Sequence, residues 1–311
     1  MHTAIGILTI VAGSFLALLV HEAGHLAGGL SAGFRFQLLT VGLMTFVREG
    51  GRIRFRWNFD WKLMGGIASA LPAPGCDVRR GAMRLVLGGP LASIALAAAL
   101  LPAVPFLPRA WKAGPATAGA TSLLVGIVTM IPGKTGGFLT DGARFLQLRR
   151  GGRDAERWLA LSTAIAASQS ELRPRDWPLA AAETDGWMDG SIDAIALASL
   201  LYWRDLDRGD AAGARRWMDA MLAGAEEMPE PMRSAIYLEA AVTGGRGYLD
   251  RVKPSSLLPA WGLARSEAFV LAAEGRGAEA AARRDEALRL LDREPPSGAT
   301  AFVRDQLAGV P

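Results

Sequence analysis

The sequence predicts an α-helical polytopic membrane protein: three core transmembrane helices with a small β-hairpin insertion, then an all-α helical-repeat soluble domain. Three observations carry that prediction. Half of the 311 residues are hydrophobic and the mean hydropathy is +0.21, too apolar for an ordinary soluble chain of this length. Three runs reach the roughly 20 apolar residues that a helix needs to cross a hydrocarbon core. Charge also divides along the chain. Residues 1–150 hold 15 Lys+Arg against 5 Asp+Glu, a net of +10, whereas residues 151–311 hold 19 against 25, a net of −6. The chain is accordingly divided into a membrane domain over 1–150 and a soluble domain over 151–311.

The first span is placed at about 4–30, where Glu22 is the only unambiguous charge. A cleaved signal peptide is disfavoured there, because only His2 precedes the apolar run and no small-residue cleavage site follows it. The second and third spans, 85–108 and 113–133, carry no charge. The 33–80 loop holds eight Lys and Arg, and the loop before the third span holds only Arg109 and Lys112. Lys134, Arg144, Arg149 and Arg150 follow the third span. The positive-inside rule then puts the N-terminus outside and the 33–80 loop and C-terminal domain in the cytoplasm. The Ala-, Arg- and Gly-rich composition and the compact size point to a prokaryotic cytoplasmic membrane.

Within the loop, Phe34-Arg35-Phe36-Gln37-Leu38 and Arg52-Ile53-Arg54-Phe55-Arg56-Trp57 alternate apolar and polar residues, as half-buried strands do. Glu49-Gly50-Gly51 supplies a turn between them. The β-loop is thus set at about 34–57, either as a structural flap or as a sheet edge that a substrate can join. The stretch from Trp61 to Leu71, led by Trp61 and Lys62, reads as interfacial.

At the end of the first span lies His21-Glu22-Ala23-Gly24-His25, an HExxH sequence. Positions i and i+4 share a helix face, so both imidazoles can hold one ion, with Glu22 beside the fourth position. Ionisable residues inside an apolar span are expensive, and here three of them fall within five residues. Zinc suits two nitrogens and a carboxylate with one position left for water. Of the three histidines in the chain, His2 is at the opposite end of the span, so the third ligand is sought among carboxylates. Asp141, after the Gly-rich approach 131–140, ends up on the same side as His21 and His25; its other reading is a cap for the helix that begins at Gly142.

His-Glu-Ala-Gly-His at the end of a first span, Gly88-Gly89-Pro90 in a second, and Pro132 followed by Asp141-Gly142 after a third together resemble the site-2 protease family of intramembrane metallopeptidases. The resemblance covers about residues 1–148. It implies that His21, His25 and Asp141 bind one Zn2+ and that Glu22 is the general base. It also implies that the strand-forming loop presents substrate, and that Gly89, Pro90, Ser93 and Thr129 contact it. Many members have Asn where Ser93 and Thr129 stand, and a shorter path from Pro to Asp-Gly. The implied activity is hydrolysis of membrane-spanning or membrane-associated proteins. A catalytically silent homologue that acts as a binding scaffold or chaperone is the alternative.

From Ala155 onward the text is helical, rich in Ala, Arg, Glu and Leu. The layout Leu197–Trp203, Gly209-Asp210, Ala214 and Met218 returns as Glu267–Leu271, Gly275, Ala280 and Leu288, 66 residues apart at the glycines, with Gly244-Gly245 between. That resembles tetratricopeptide helix pairs with a degenerate middle copy. Such a tail offers a docking surface for a protein partner or only stabilises the enzyme, and Trp177, Trp187, Trp203, Trp217 and Trp261 are expected to pack helices. The single Cys76 excludes an intrachain disulfide or a multi-cysteine zinc site. The acidic tail argues against nucleic acid as a partner.

Overall fold

The computed structural model describes residues 2–49, 52–59, 65–135, 138–179, 188–255 and 258–311, with backbone only for 2–5 and 49. The chain is mostly helical and divides into two compact units, Met1–Leu159 and Ala160–Pro311, with the boundary inside one helix, Arg153–Ser168.

In the first unit, among the described residues, three helices are long and apolar enough to cross a membrane: Gly6–Leu30, Val78–Phe106 and Arg109–Met130. They correspond to α1 (His2–Leu30), α2 (Val78–Leu100, extended by a 3-10 segment to Phe106) and α3 (Ala113–Met130). Two boundaries differ from the sequence reading. Helix α2 starts seven residues before Leu85, because the Asp77 side chain caps it by accepting from the Arg80 amide at 3.0 Å. Helix α3 stops at Met130, because Ile131 precedes a proline and is extended. Ile7, Leu8, Val11, Leu91 and Leu124 stand exposed on these helices. So much open apolar surface is suited to lipid rather than water.

Glycines let the helices meet. Gly24 and Gly28, one turn apart on α1, lie against Gly88 and Arg84 of α2. A Cβ at Gly28 would fall 2.0 Å from the Arg84 carbonyl oxygen, and one at Gly88 would fall 2.1 Å from the Gly24 carbonyl oxygen. Small residues at such positions are how helices pack where lipid is as apolar as the side chains.

Between α1 and α2 the chain forms a four-stranded antiparallel sheet in the order β3-β2-β1-β4, rather than the two-stranded hairpin expected over 34–57. Strand β1 (Phe34–Val41) turns through Gly42-Leu43 into β2 (Met44–Glu49), which pairs with β3 (Arg52–Trp57). Gly42 has φ +56°, as the first residue of a tight two-residue hairpin loop of the II′ type requires. The expected turn at Gly50-Gly51 lies outside the described residues, as do Trp61 and Lys62. Leu63 and Met64 also lie outside the described residues, and from Ile67 the expected interfacial stretch is strand: β4 (Ile67–Pro72) pairs with β1 on the side away from β2. Phe34 anchors the sheet, 4% exposed, with its ring over Gly81 of α2, where a Cβ would sit 2.1 Å from the ring. Past α3, a short hairpin of β5 (Lys134–Thr135) and β6 (Phe138–Leu139) leads into α4 (Asp141–Arg150), and then α5 (Arg153–Ser168).

The second unit is helical: α6 (Ile192–Arg208), α7 (Ala211–Gly224), α8 (Glu230–Gly244), α9 (Arg246–Leu249), α10 (Ala260–Ala273), α11 (Gly277–Leu291) and α12 (Gly298–Ala308). Gly209 and Gly275, both with φ +77°, break the chain between α6 and α7 and between α10 and α11. The middle pair is lopsided, since α9 has four residues. Trp177 and Trp217 are buried in the core with Leu197, Leu201 and Met221. Trp203 and Trp261 pack against Leu291, Val303 and Leu307, in edge contact with centroids 6.3 Å apart, and also line a cavity of about 420 Å³. Trp187 lies outside the described residues. Arg173 ties the unit together by holding Asp207 of α6 at 2.6 Å and Asp305 of α12 at 2.7 Å. Although burial pushes the Asp207 carboxyl up, its bonds from Arg173 and the Arg175 amide outweigh this and hold it below the usual carboxylate value.

Candidate metal centre

Toward its C-terminal end helix α1 carries His21 and His25 one turn apart, both hydrogen-bonded to α2, with Glu22 next to His21. His21 is 4% and Glu22 9% exposed. Each imidazole is oriented through its Nδ1. His25 Nδ1 donates to the Leu85 carbonyl oxygen at 2.8 Å, and His21 Nδ1 lies 2.9 Å from Ser93 Oγ. A carbonyl can only accept, so the His25 proton sits on Nδ1 and its Nε2 presents a lone pair. The Ser93 hydroxyl can accept from His21 Nδ1, which is the arrangement that frees His21 Nε2 for a metal.

Helix α4 brings the third group. Its N-cap is Thr140, whose side chain accepts from the Ala143 amide, so the capping role that Asp141 was a candidate for is filled by its neighbour. Asp141 is free to turn inward. Gly142 lets α4 begin directly against the end of α3, since a Cβ there would fall 1.9 Å from the Met130 carbonyl oxygen.

The result is a triangle of three atoms that can ligate a metal. His21 Nε2 and His25 Nε2 are 3.2 Å apart, and Asp141 Oδ2 is 3.5 Å from the first and 3.6 Å from the second. A tetrahedral zinc with bonds of about 2.0–2.1 Å keeps its ligand atoms roughly 3.3–3.5 Å apart. The donor set and the triangle therefore fit such an ion, and His21, His25 and Asp141 are the residues that could hold it.

Glu22 is placed from the other side by the sheet. The Ala68 amide of β4 hydrogen-bonds its carboxylate, which also interacts electrostatically with His21 and Asp141. Gly66, with φ +107°, closes over it, and a Cβ there would sit 2.7 Å from Glu22 Oε1. The strand that meets Glu22 is thus β4, an edge of the sheet, and not one of the strands in 34–57.

The four residues expected at the substrate separate. Ser93 is fully buried, with its hydroxyl at His21. Gly89 gives the His25 ring its room, since a Cβ would lie 2.3 Å from His25 Nε2. Pro90 is buried within α2, where it cannot donate to the Val86 carbonyl. Thr129 Oγ1 on α3 is shielded from solvent and has no hydrogen-bond partner among the described residues, which leaves it able to bond an incoming group. Sequence reasoning missed Leu85, Ala68 and Gly66, two of which act through the backbone; the only signal was Gly65-Gly66 ahead of a short apolar run.

No protein-family model, curated protein or solved structure matches the chain.

Proposed function

We propose that this chain is an intramembrane zinc metallopeptidase of the site-2 protease type, with α1, α2 and α3 crossing the bilayer, the N-terminus outside and the helical tail in the cytoplasm. The observation that carries the reading is the convergence of two imidazole nitrogens from an apolar helix and a carboxylate oxygen from α4, with a second carboxylate, Glu22, held beside them. Groups so costly to place there are explained by an ion and a reaction.

When bound, zinc supplies Lewis-acid polarisation of a carbonyl and makes a water molecule more acidic. Glu22 takes that water's proton and delivers it to the leaving amine. The Ala68 amide and the Gly66 turn hold the carboxylate in place for both transfers. The surrounding apolar helices exclude bulk water from the peptide bond under attack.

A membrane-spanning substrate is helical and hides its peptide bonds, so a stretch must unwind and satisfy its backbone elsewhere. The free side of β4, next to Glu22, is where we place that pairing. A transmembrane peptide N-methylated one and three residues from the scissile bond loses two such hydrogen bonds. It should be cleaved roughly tenfold more slowly than its parent, at about 0.5–1.5 kcal/mol per bond. Equal rates would remove strand pairing from the mechanism.

The central test is metal content and cleavage on the same detergent-purified, full-length protein. We expect about one zinc per chain, cleavage of a model transmembrane peptide, loss of that cleavage on chelation and its return with added zinc. Cleavage that survives complete chelation sinks the metallopeptidase reading. Bound zinc with no cleavage across a panel of transmembrane peptides favours a silent binding homologue.

A further inference from the structure

His21 is held by a chain of contacts that crosses all three apolar helices. Its Nδ1 meets Ser93 Oγ of α2 at 2.9 Å, and Ser93 is fully shielded from solvent. Behind Ser93 stands Gly126 of α3. A Cβ built on Gly126 would lie 3.1 Å from Ser93 Cβ, 3.2 Å from the Pro90 carbonyl oxygen and 3.3 Å from Ile94 Cγ1. Each contact is tighter than most real Cβ contacts, so a side chain at 126 would make Ser93, Pro90 or Ile94 give way by a few tenths of an ångström.

We propose that Ser93 is a positioning residue for His21, and that Gly126 sets where Ser93 stands. The proposal rests on the metal-site reading and assigns these two residues a part in it. An imidazole is rigid, so a hydrogen bond at Nδ1 fixes where Nε2 points, and with a metal on Nε2 the ring proton is on Nδ1 and the Ser93 hydroxyl accepts it. His25 has a backbone carbonyl for this purpose, which no substitution can remove. His21 depends on one hydroxyl. Ser93 is also a poor substrate contact: its single hydroxyl is engaged, and no surface of the residue is open to a peptide.

Losing the outer partner of a metal-bound histidine typically weakens metal binding about 10–100-fold. We therefore expect Ser93→Ala in the full-length protein to bind zinc about 10–100-fold more weakly in chelator competition, and to shift the visible ligand-field bands of the Co2+-loaded protein. Gly126→Ala moves Ser93 by a few tenths of an ångström and should shift both readouts in the same direction by less. The double variant should be no weaker than Ser93→Ala alone, because both act through one contact. Zinc affinity of Ser93→Ala within twofold of wild type, together with a raised KM, overturns the proposal and puts Ser93 at the substrate. Additive losses in the double variant overturn the role of Gly126. A wild-type protein that binds neither Zn2+ nor Co2+ overturns the metal site itself, an outcome distinct from the other two.

Discussion

Glu22→Gln is expected to leave zinc bound at about one ion per chain while lowering kcat for peptide cleavage by between about 10² and 10⁴-fold, the usual weight of a general base. Glutamine has the shape of glutamate, and the site gives it little freedom to move. Gly66 covers the side chain on one side, and the Ala68 amide can still bond its oxygen. What it loses is the capacity to take a proton from water and return it to an amine. Substrate binding does not need that proton, so KM should change little. The same preparation decides between roles. Loss of zinc along with activity would make Glu22 a ligand, and an undiminished rate would mean that another group is the base.

The two histidines of the group that could hold a metal were legible because their spacing is local. His21 and His25 are one helical turn apart in an apolar run, so a shared face followed from spacing alone. Asp141 was found by need and by side of the membrane, but its freedom to act depended on Thr140 taking the cap, and both residues are able caps in sequence. The sheet was half legible. Strands β1 and β3 alternate clearly, whereas β2 (Met44-Thr45-Phe46-Val47-Arg48-Glu49) mixes apolar neighbours. Strand β4 (Ile67-Ala68-Ser69-Ala70-Leu71-Pro72) has small residues whose strand character comes only from pairing with β1. The contacts of Leu85 and Ala68 were not legible at all, since a carbonyl or an amide leaves no trace in the identity of its residue. Ser93 shows the opposite limit: its position after Gly-Gly-Pro was evident, but its partner across α1 was a matter of tertiary packing.

That packing can be broken without melting the helices. Gly28→Leu is expected to reduce zinc content from about one ion per chain to near zero and to abolish cleavage, while far-ultraviolet circular dichroism stays close to wild type. The new Cβ alone would lie 2.0 Å from the Arg84 carbonyl oxygen and 2.8 Å from its carbon, atoms of a backbone that cannot yield. Helix α1 must therefore move away from α2 by an ångström or more, on the order of the misplacement that disables a site. It takes His21 and His25 away from Ser93 and Leu85, their partners on α2. The helices themselves survive, because in a bilayer or detergent each satisfies its own backbone and association is a separate step. Gly6→Leu is the matched control: nothing lies within 4 Å of a Cβ there, so the same substitution on the same helix should leave zinc and activity intact. If Gly28→Leu keeps its zinc, the close approach of α1 to α2 does not hold the metal site together. If both variants lose zinc, the damage comes from leucine in α1 generally and not from the contact with Arg84.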